Sequence, residues 1–246
     1  MARRGGGKGL FKKIAGWFRE PKKPATAPPP VISAPRPQTP PGRTVETGPP
    51  PPRVDPNPPP RPRTGNRYGG KEKPMEDHYK YETRLNEPPF VGKQVTRLND
   101  TKLEKRRVYI DKDGRMRYAK DGTLFDTSKA TKVHKGDEGR AIFVMDRHGN
   151  VYASNYQAEG EFHHSTLTNG RPVAAAGELF VKDGRIIKIT DNSGHYRPGT
   201  QQTVNMWEEL KIHGLGDTPL HMQGAGGMKI PPKELAKLKN ELEMTP

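Results

Sequence analysis

The chain has 246 residues, and only 30% of them are hydrophobic, with a mean hydropathy of -0.98. Such a composition cannot offset the ordering entropy of the whole length, so the folded part should span about 100–140 residues. Cysteine is absent, which excludes disulfides, thiolate metal sites and a cysteine nucleophile. Net charge is +15, but residues 1–71 hold 15 Lys/Arg against Glu20, Glu46 and Asp55, and the remainder is nearly balanced. The first stretch is therefore a polycationic arm suited to anionic surfaces, and the pI says little about the rest.

In chain order, residues 1–20 form a basic segment in which Leu10, Phe11, Ile14, Trp17 and Phe18 share one helical face. Too short for a stable helix in water, it could fold on an anionic membrane or an acidic protein partner, with residues 8–23 as the contact. No cleavable signal peptide is visible, because Lys12 and Lys13 interrupt the apolar stretch. Export would need another route; otherwise the protein stays in the cytoplasm. Residues 21–65 carry 18 of the 27 prolines and read as a disordered linker of polyproline II character. Residues 66–104 are a polar transition, with Tyr79, Tyr81 and Phe90 placed to pack on the domain edge.

From residue 105 to residue 215 short apolar runs alternate with Asp-Gly and His-Gly turns. Val108–Asp111 and Arg115–Ala119 predict a hairpin around Asp113-Gly114, and Thr123–Asp126 a further extended piece. Ala141–Asp146, Val151–Ser154, Gly160–Leu167, Val173–Val181 and Ile186–Thr190 predict strands. The fold class is mainly β (α+β): an antiparallel β-meander or small barrel with a packed C-terminal helix, preceded by a long disordered arm. A helix is predicted over Gln201–Ile212, capped by Thr200. Residues 216–246 give a Gly/Pro-rich loop and a short helix over Lys233–Glu243.

Three clusters hold candidate chemistry. In GEFHHSTL, the strand reading sends His163 and His164 to opposite faces, which is a poor zinc pattern; Ser165 follows. In AAAGEL, Glu178 stands among small residues, where a carboxyl suits a general acid or base. In NSGHYRP, Ser193 and Gly194 make a turn ahead of His195, Tyr196 and Arg197. These supply a proton shuttle, a donor and an anion holder. The catalytic candidates are His164, Glu178, His195 and Tyr196, and the ligand-binding candidates are His163, Ser165, Ser193 and Arg197. No metal and no cofactor are expected. P-loop, dinucleotide-binding and nucleophile-elbow patterns are missing, and DKDG at Asp111–Gly114 reads as a turn and not a calcium loop.

The ordered series AIFVMDRHGNVYAS, GEFHHSTL, PVAAAGEL and DNSGHYRP resembles a domain at the C-terminal ends of bacterial polymorphic-toxin-like and effector-like proteins. It is also similar to the conserved region of plant IQ-motif calmodulin-binding proteins, over roughly residues 107–213. The resemblance puts Phe162, His164, Ser165, Gly177, Ser193, Gly194, His195, Tyr196 and Pro198 at motif positions, and Glu178 matches the bacterial form. Thr166 replaces the second serine of the common pattern, and Asn169-Gly170-Arg171 departs from its small-residue turn. No IQ pattern adjoins the domain, so a calmodulin partner does not carry over. The leading expectation is a toxin- or effector-like domain with metal-independent acid–base activity. Its substrate would be RNA or a nucleotide, through ribonuclease-like or nucleotidyl/ADP-ribosyl-transfer chemistry, and an immunity protein would be its partner. The alternative is a non-catalytic ligand- or protein-binding β module. A third option is an adaptor built on the N-terminal arm.

Overall fold

A computed structural model describes residues 59–131, 139–222 and 227–244. The amphipathic segment at residues 8–23 and most of the proline-rich stretch lie outside the described residues. All described residues fall within one compact unit, Pro51–Pro246.

The turn chemistry read from the sequence places the first strands. Asp111 Oδ1 accepts from the amides of Asp113 and Arg115, and Gly114 supplies the positive φ the reversal requires. Strands β1 (Arg107–Ile110) and β2 (Met116–Tyr118) pair across it. Thr123–Asp126 contributes a single bridge, Arg117 with Leu124. After helix α1 (Asp100–Glu104), β1 and β2 lead to β3 (Ala141–Met145), β4 (Val151–Ser154), β5 (Ala175–Lys182) and β6 (Arg185–Thr190). Then come α2 (Thr200–Ile212), β7 (Leu220–Met222), β8 (Met228–Ile230) and α3 (Pro232–Met244). The eight strands form one curled sheet in the order β2-β1-β4-β3-β5-β6-β7-β8. Its pairs are antiparallel except β6 with β7, which is parallel, so the sheet is mixed. The parallel pair follows from geometry: α2 intervenes between the two strands, and a crossover returns the chain in the same direction.

The central strands β3 and β5 are apolar on both faces, and both faces are covered. One face carries Phe143, Met145, Leu179 and Ile189. It packs Met206, Trp207 and Leu210 of α2 and Leu235 of α3. The other carries Ile142, Val144 and Ala176, packed with Phe162, Leu167, Val173 and Tyr196, and with Leu98 and Leu103 from upstream. Truncating any of the Leu, Ile, Met or Phe side chains among these to alanine should cost about 2–5 kcal/mol.

Two local readings need correction. The stretch Gly160–Leu167 is not a strand. Residues His164–Leu167 form a 3-10 turn, because Thr166 Oγ1 accepts the His163 amide at 3.1 Å and the Thr166 amide returns to the His163 carbonyl. Hydroxyl side chains here outcompete ladder bonding. The first helical residue of α2 is Thr200, and its N-cap is Gly199, whose amide donates to Gln202 Oε1 at 3.0 Å.

Residues 59–99 wrap the sheet as a strap with few regular elements. Asn150 holds both backbone groups of Arg63, and Asn169 holds both of Leu98. Lys73 bridges to Val173, and Tyr68, Glu82 and Val95 are buried. Glu209 of α2, itself buried, binds Arg63, accepts from Tyr68 Oη at 3.0 Å and lies 3.6 Å from His213.

Candidate functional site

The motif residues His163 and His195 meet beneath the strap. His195 Nε2 lies 2.8 Å from Glu82 Oε2, and Arg97 Nη2 lies 2.9 Å from Glu82 Oε1. Glu82 is wholly buried and His195 nearly so. Burial alone would raise the Glu82 pKa. Hydrogen bonding from His195 above all, with Ser165 and Arg97, outweighs burial and holds it below the ordinary carboxylate value. An ionised Glu82 only accepts, so His195 Nε2 carries the proton and donates. The imidazole is stacked on Tyr79, with ring centroids 3.8 Å apart, and lies against His163 at 4.5 Å. Phe90 stacks on His163 at 5.1 Å and lies 6.2 Å from the His195 ring, so the three rings form one cluster. The Glu76 amide donates to the His195 carbonyl at 2.8 Å, so the strap grips this loop by its backbone too.

The other candidates have separate structural ties. His163 Nε2 accepts the Gly160 amide at 2.8 Å, which puts its proton on Nδ1. Burial first, then the nearby His195, pushes its pKa down to about 4. His164 is buried and donates through Nε2 to the Gly177 carbonyl at 2.9 Å; burial pushes it down to about 3. It therefore stays neutral at physiological pH. Tyr196 is fully buried, its hydroxyl donating to the Arg171 carbonyl at 2.9 Å and paired with Thr168 Oγ1 at 2.7 Å. Burial pushes its pKa up to about 12. Glu178 sits with Arg140 Nη1 at 3.2 Å from both carboxylate oxygens, and Thr190 Oγ1 donates to it at 3.1 Å. The hydroxyls of Ser165 and Ser193 are buried and form no hydrogen bond of good geometry, although Ser165 lies close enough to Glu82 to help hold it ionised. Arg197 is exposed beside Tyr79.

This arrangement limits the chemistry. The four residues read as catalytic share no hydrogen bond with one another. A hydroxyl nucleophile needs a base beside it and an orienting acid beyond that base. Here Ser165 and His195 both face Glu82, so the carboxylate stands where the base would have to be. Among the described residues, no group of three or more His, Asp or Glu is placed to hold a metal ion.

Gly177 explains the small-residue run ahead of Glu178. A Cβ there would sit 1.8 Å from the Thr190 carbonyl oxygen, so only glycine permits the close approach of β6. Read as room for a ligand or a neighbouring strand, AAAG serves the strand.

An open cleft lies on the same side of the sheet, between α1, the strap and the turn after His164–Leu167. Its volume is about 650 Å³. Tyr152, Leu103 and Leu167 give it apolar surface, and Asp100, Arg147 and Arg171 contribute charge. Arg147 is paired with Glu72 at 2.8 Å. Among the described residues Arg171 spends only Nε, on the Thr168 carbonyl at 2.9 Å. The Tyr152 hydroxyl and the Asp100 carboxylate form no hydrogen bond among the described residues. Burial, then Asp146 and Glu104, pushes the Tyr152 pKa up to about 12, so its hydroxyl remains a donor. Sequence reasoning missed this cleft and the strap side of the histidine cluster. Tyr79 and Phe90 gave a signal as edge aromatics. Glu82, Arg97 and Asp100 are ordinary charges in a polar stretch and gave none.

Residues 104–203 match the family model described as IQ motif-containing protein middle domain. Over 95 residues the chain is 34% identical to IQ domain-containing protein IQM1 of Arabidopsis thaliana, covering 39% of this chain and 19% of that protein. It is 40% identical over 73 residues to IQM3 of the same plant, covering 29% and 16%. Over 119 residues it is 27% identical to IQM2, covering 48% and 19%. The chain thus spans less than a fifth of the length of these relatives. No solved structure matches. The matched window contains all eight site residues read from the sequence, together with Tyr152 and Arg171; Glu82, Arg97 and Asp100 precede it. These matches correct the assignment to a bacterial toxin or effector domain. All four curated matches are plant IQ domain-containing proteins, and the family model is that of their middle domain. The expected acid–base activity on RNA or a nucleotide rested on the toxin resemblance and is withdrawn with it.

Proposed function

We propose that this domain is a binding module that holds a ligand or a segment of a partner without turning it over, and that the Tyr152 cleft is its site. One contrast carries the reading. Most motif side chains form internal hydrogen bonds or ion pairs, whereas Arg171, Tyr152 and Asp100 border the cleft with bonding capacity left over. A cleft of this volume falls in the usual range of about 300–1,000 Å³ for ligand sites, and a few convergent polar groups over apolar surface are their usual lining. Ser193 and Arg197, read from the sequence as ligand-binding, bracket a loop that could also serve as the contact. That loop carries His195 and Tyr196 into the interior, which favours the cleft instead.

A fragment screen on the full chain by protein-observed NMR tests the proposal. Hits should shift resonances of Tyr152, Leu103 and Arg171, should lose affinity in Arg171→Glu, and should be recovered chemically unchanged. Hits confined to other surfaces, or chemical conversion of bound fragments, would overturn it.

A further inference from the structure

Resting on the cleft reading, the residual bonding capacity defines the ligand more closely. By formal charge the lining is mixed, with Arg63, Arg147 and Arg171 set against Glu72, Asp100, Glu104 and Asp146. Most of these charges are already spoken for. Arg63 goes to Glu209, Arg147 to Glu72, and Glu104 to Arg107 at 2.7 Å. Asp146 accepts from the amides of His148 and Asn150 and from the Asn150 side chain.

Subtracting those pairs leaves Arg171 and Asp100 as the lining charges that have no ion pair and keep unused donors or acceptors among the described residues, together with the unbonded hydroxyl of Tyr152. The donors are the guanidinium end of Arg171, in the turn after His164–Leu167, and the hydroxyl of Tyr152, on β4. The acceptor is the carboxylate of Asp100, on α1. Donors of this kind take a carboxylate, and Arg171 offers the planar fork that such a group matches. An unpaired Asp takes an ammonium or guanidinium. A ligand carrying only one sign of charge would satisfy half of the site and leave a cation or an anion of the lining uncompensated. The apolar surface of Leu103, Leu167 and the Tyr152 ring lies in the same cleft. The volume exceeds what one small amino acid fills.

We infer that the cleft takes a short peptide bearing one carboxylate and one cationic group, the carboxylate on Arg171 and Tyr152 and the cation on Asp100.

The test uses the full chain and four forms of one tripeptide, leucine–alanine–leucine: free at both ends, acetylated at the amino end, amidated at the carboxyl end, and blocked at both. Affinities are read from NMR titrations at millimolar ligand. The free form should bind tightest, and blocking either end should weaken binding about tenfold, the lower end of what a charge-assisted hydrogen bond contributes. Asp100→Asn should erase the penalty for blocking the amino end while leaving that for the carboxyl end. Arg171→Gln should do the reverse. Both positions lie at the surface, and unchanged melting temperatures would show that the variants are folded. If the doubly blocked form binds as well as the free one and still shifts Tyr152, the charge assignment is wrong while the cleft remains a binding site. If no form binds at millimolar concentration, the peptide assignment fails; whether the cleft binds anything is then decided by the fragment screen.

Discussion

Tyr196 and Tyr152 are each held near a pKa of 12 by burial, and both lie close to Arg171, yet they belong to opposite kinds of region. The Tyr196 hydroxyl bonds to Thr168 and to the Arg171 backbone, in a wall closed by the strap. The Tyr152 hydroxyl forms no hydrogen bond among the described residues and borders open space. The histidine cluster continues the first arrangement and Asp100 the second. The same side of the sheet therefore holds a region where polarity is used to lock the fold and one where it is left available. Side-chain type does not separate them; the partner count of each polar atom does.

The largest effect that would sharpen the contrast should come from Glu82. Glu82→Ala leaves the buried His195 and the half-buried Arg97 without their acceptor and should cost about 3–5 kcal/mol, read from denaturant unfolding. A loss below about 1 kcal/mol would mean that the strap does not lock the histidine cluster.

Acid should open the closed region next. His163 and His164 have folded pKa values of about 4 and about 3, below the ordinary histidine value. The unfolded chain then binds more protons between pH 6.5 and those values. The stability these groups contribute is complete above pH 6.5 and falls with acidification by about 1.4 kcal/mol per pH unit for each. The depressed Glu82 acts in the same direction at lower pH: its contribution is present above the unfolded carboxylate pKa and is lost as pH falls through the folded one. Melting temperature measured from pH 7 to pH 4 should drop continuously. A flat profile over that range would contradict the burial of the two imidazoles.

The tyrosine pair gives the finer test. Tyr196→Phe strands the Arg171 carbonyl and the Thr168 hydroxyl and should cost about 1–3 kcal/mol. Tyr152→Phe removes a hydroxyl that forms no hydrogen bond among the described residues and should shift stability by less than about 0.5 kcal/mol, while weakening cleft ligands. Equal losses of stability from both would erase the distinction between the regions.

Much of the sheet was legible from the sequence because its signals are local. Asp-Gly and His-Gly turns at Gly114 and Gly149 require positive φ, and AIFVM is apolar enough to be a buried strand. The SGHYRP residues were legible as a special loop. Their roles were not, because His195 is completed by a carboxylate 113 positions earlier that looks like any solvated Glu. His163 and His164 were misplaced on a strand since a 3-10 turn closed by Thr166 carries no periodic signature. Arg171 stood out only as a departure from a small-residue turn, and its neighbours Tyr152 and Asp100 come from distant elements.

The separation between Glu82 and His195 also bears on how the chain is made. A ribosome working at about 5–20 residues per second releases the strap roughly 6–23 s before its histidine partner exists. During that interval Glu82, Tyr79 and Phe90 have no wall to close, and the apolar surfaces of β3 and β4 await β5. Vectorial synthesis thus leaves the Glu82 part of the strap unfastened until the His195 loop is made, although Asn150, Asn169 and Val173 can already hold other parts of it. Nascent chains stalled before residue 195 should display the segment around Tyr79, Glu82 and Phe90 to proteases and chaperones.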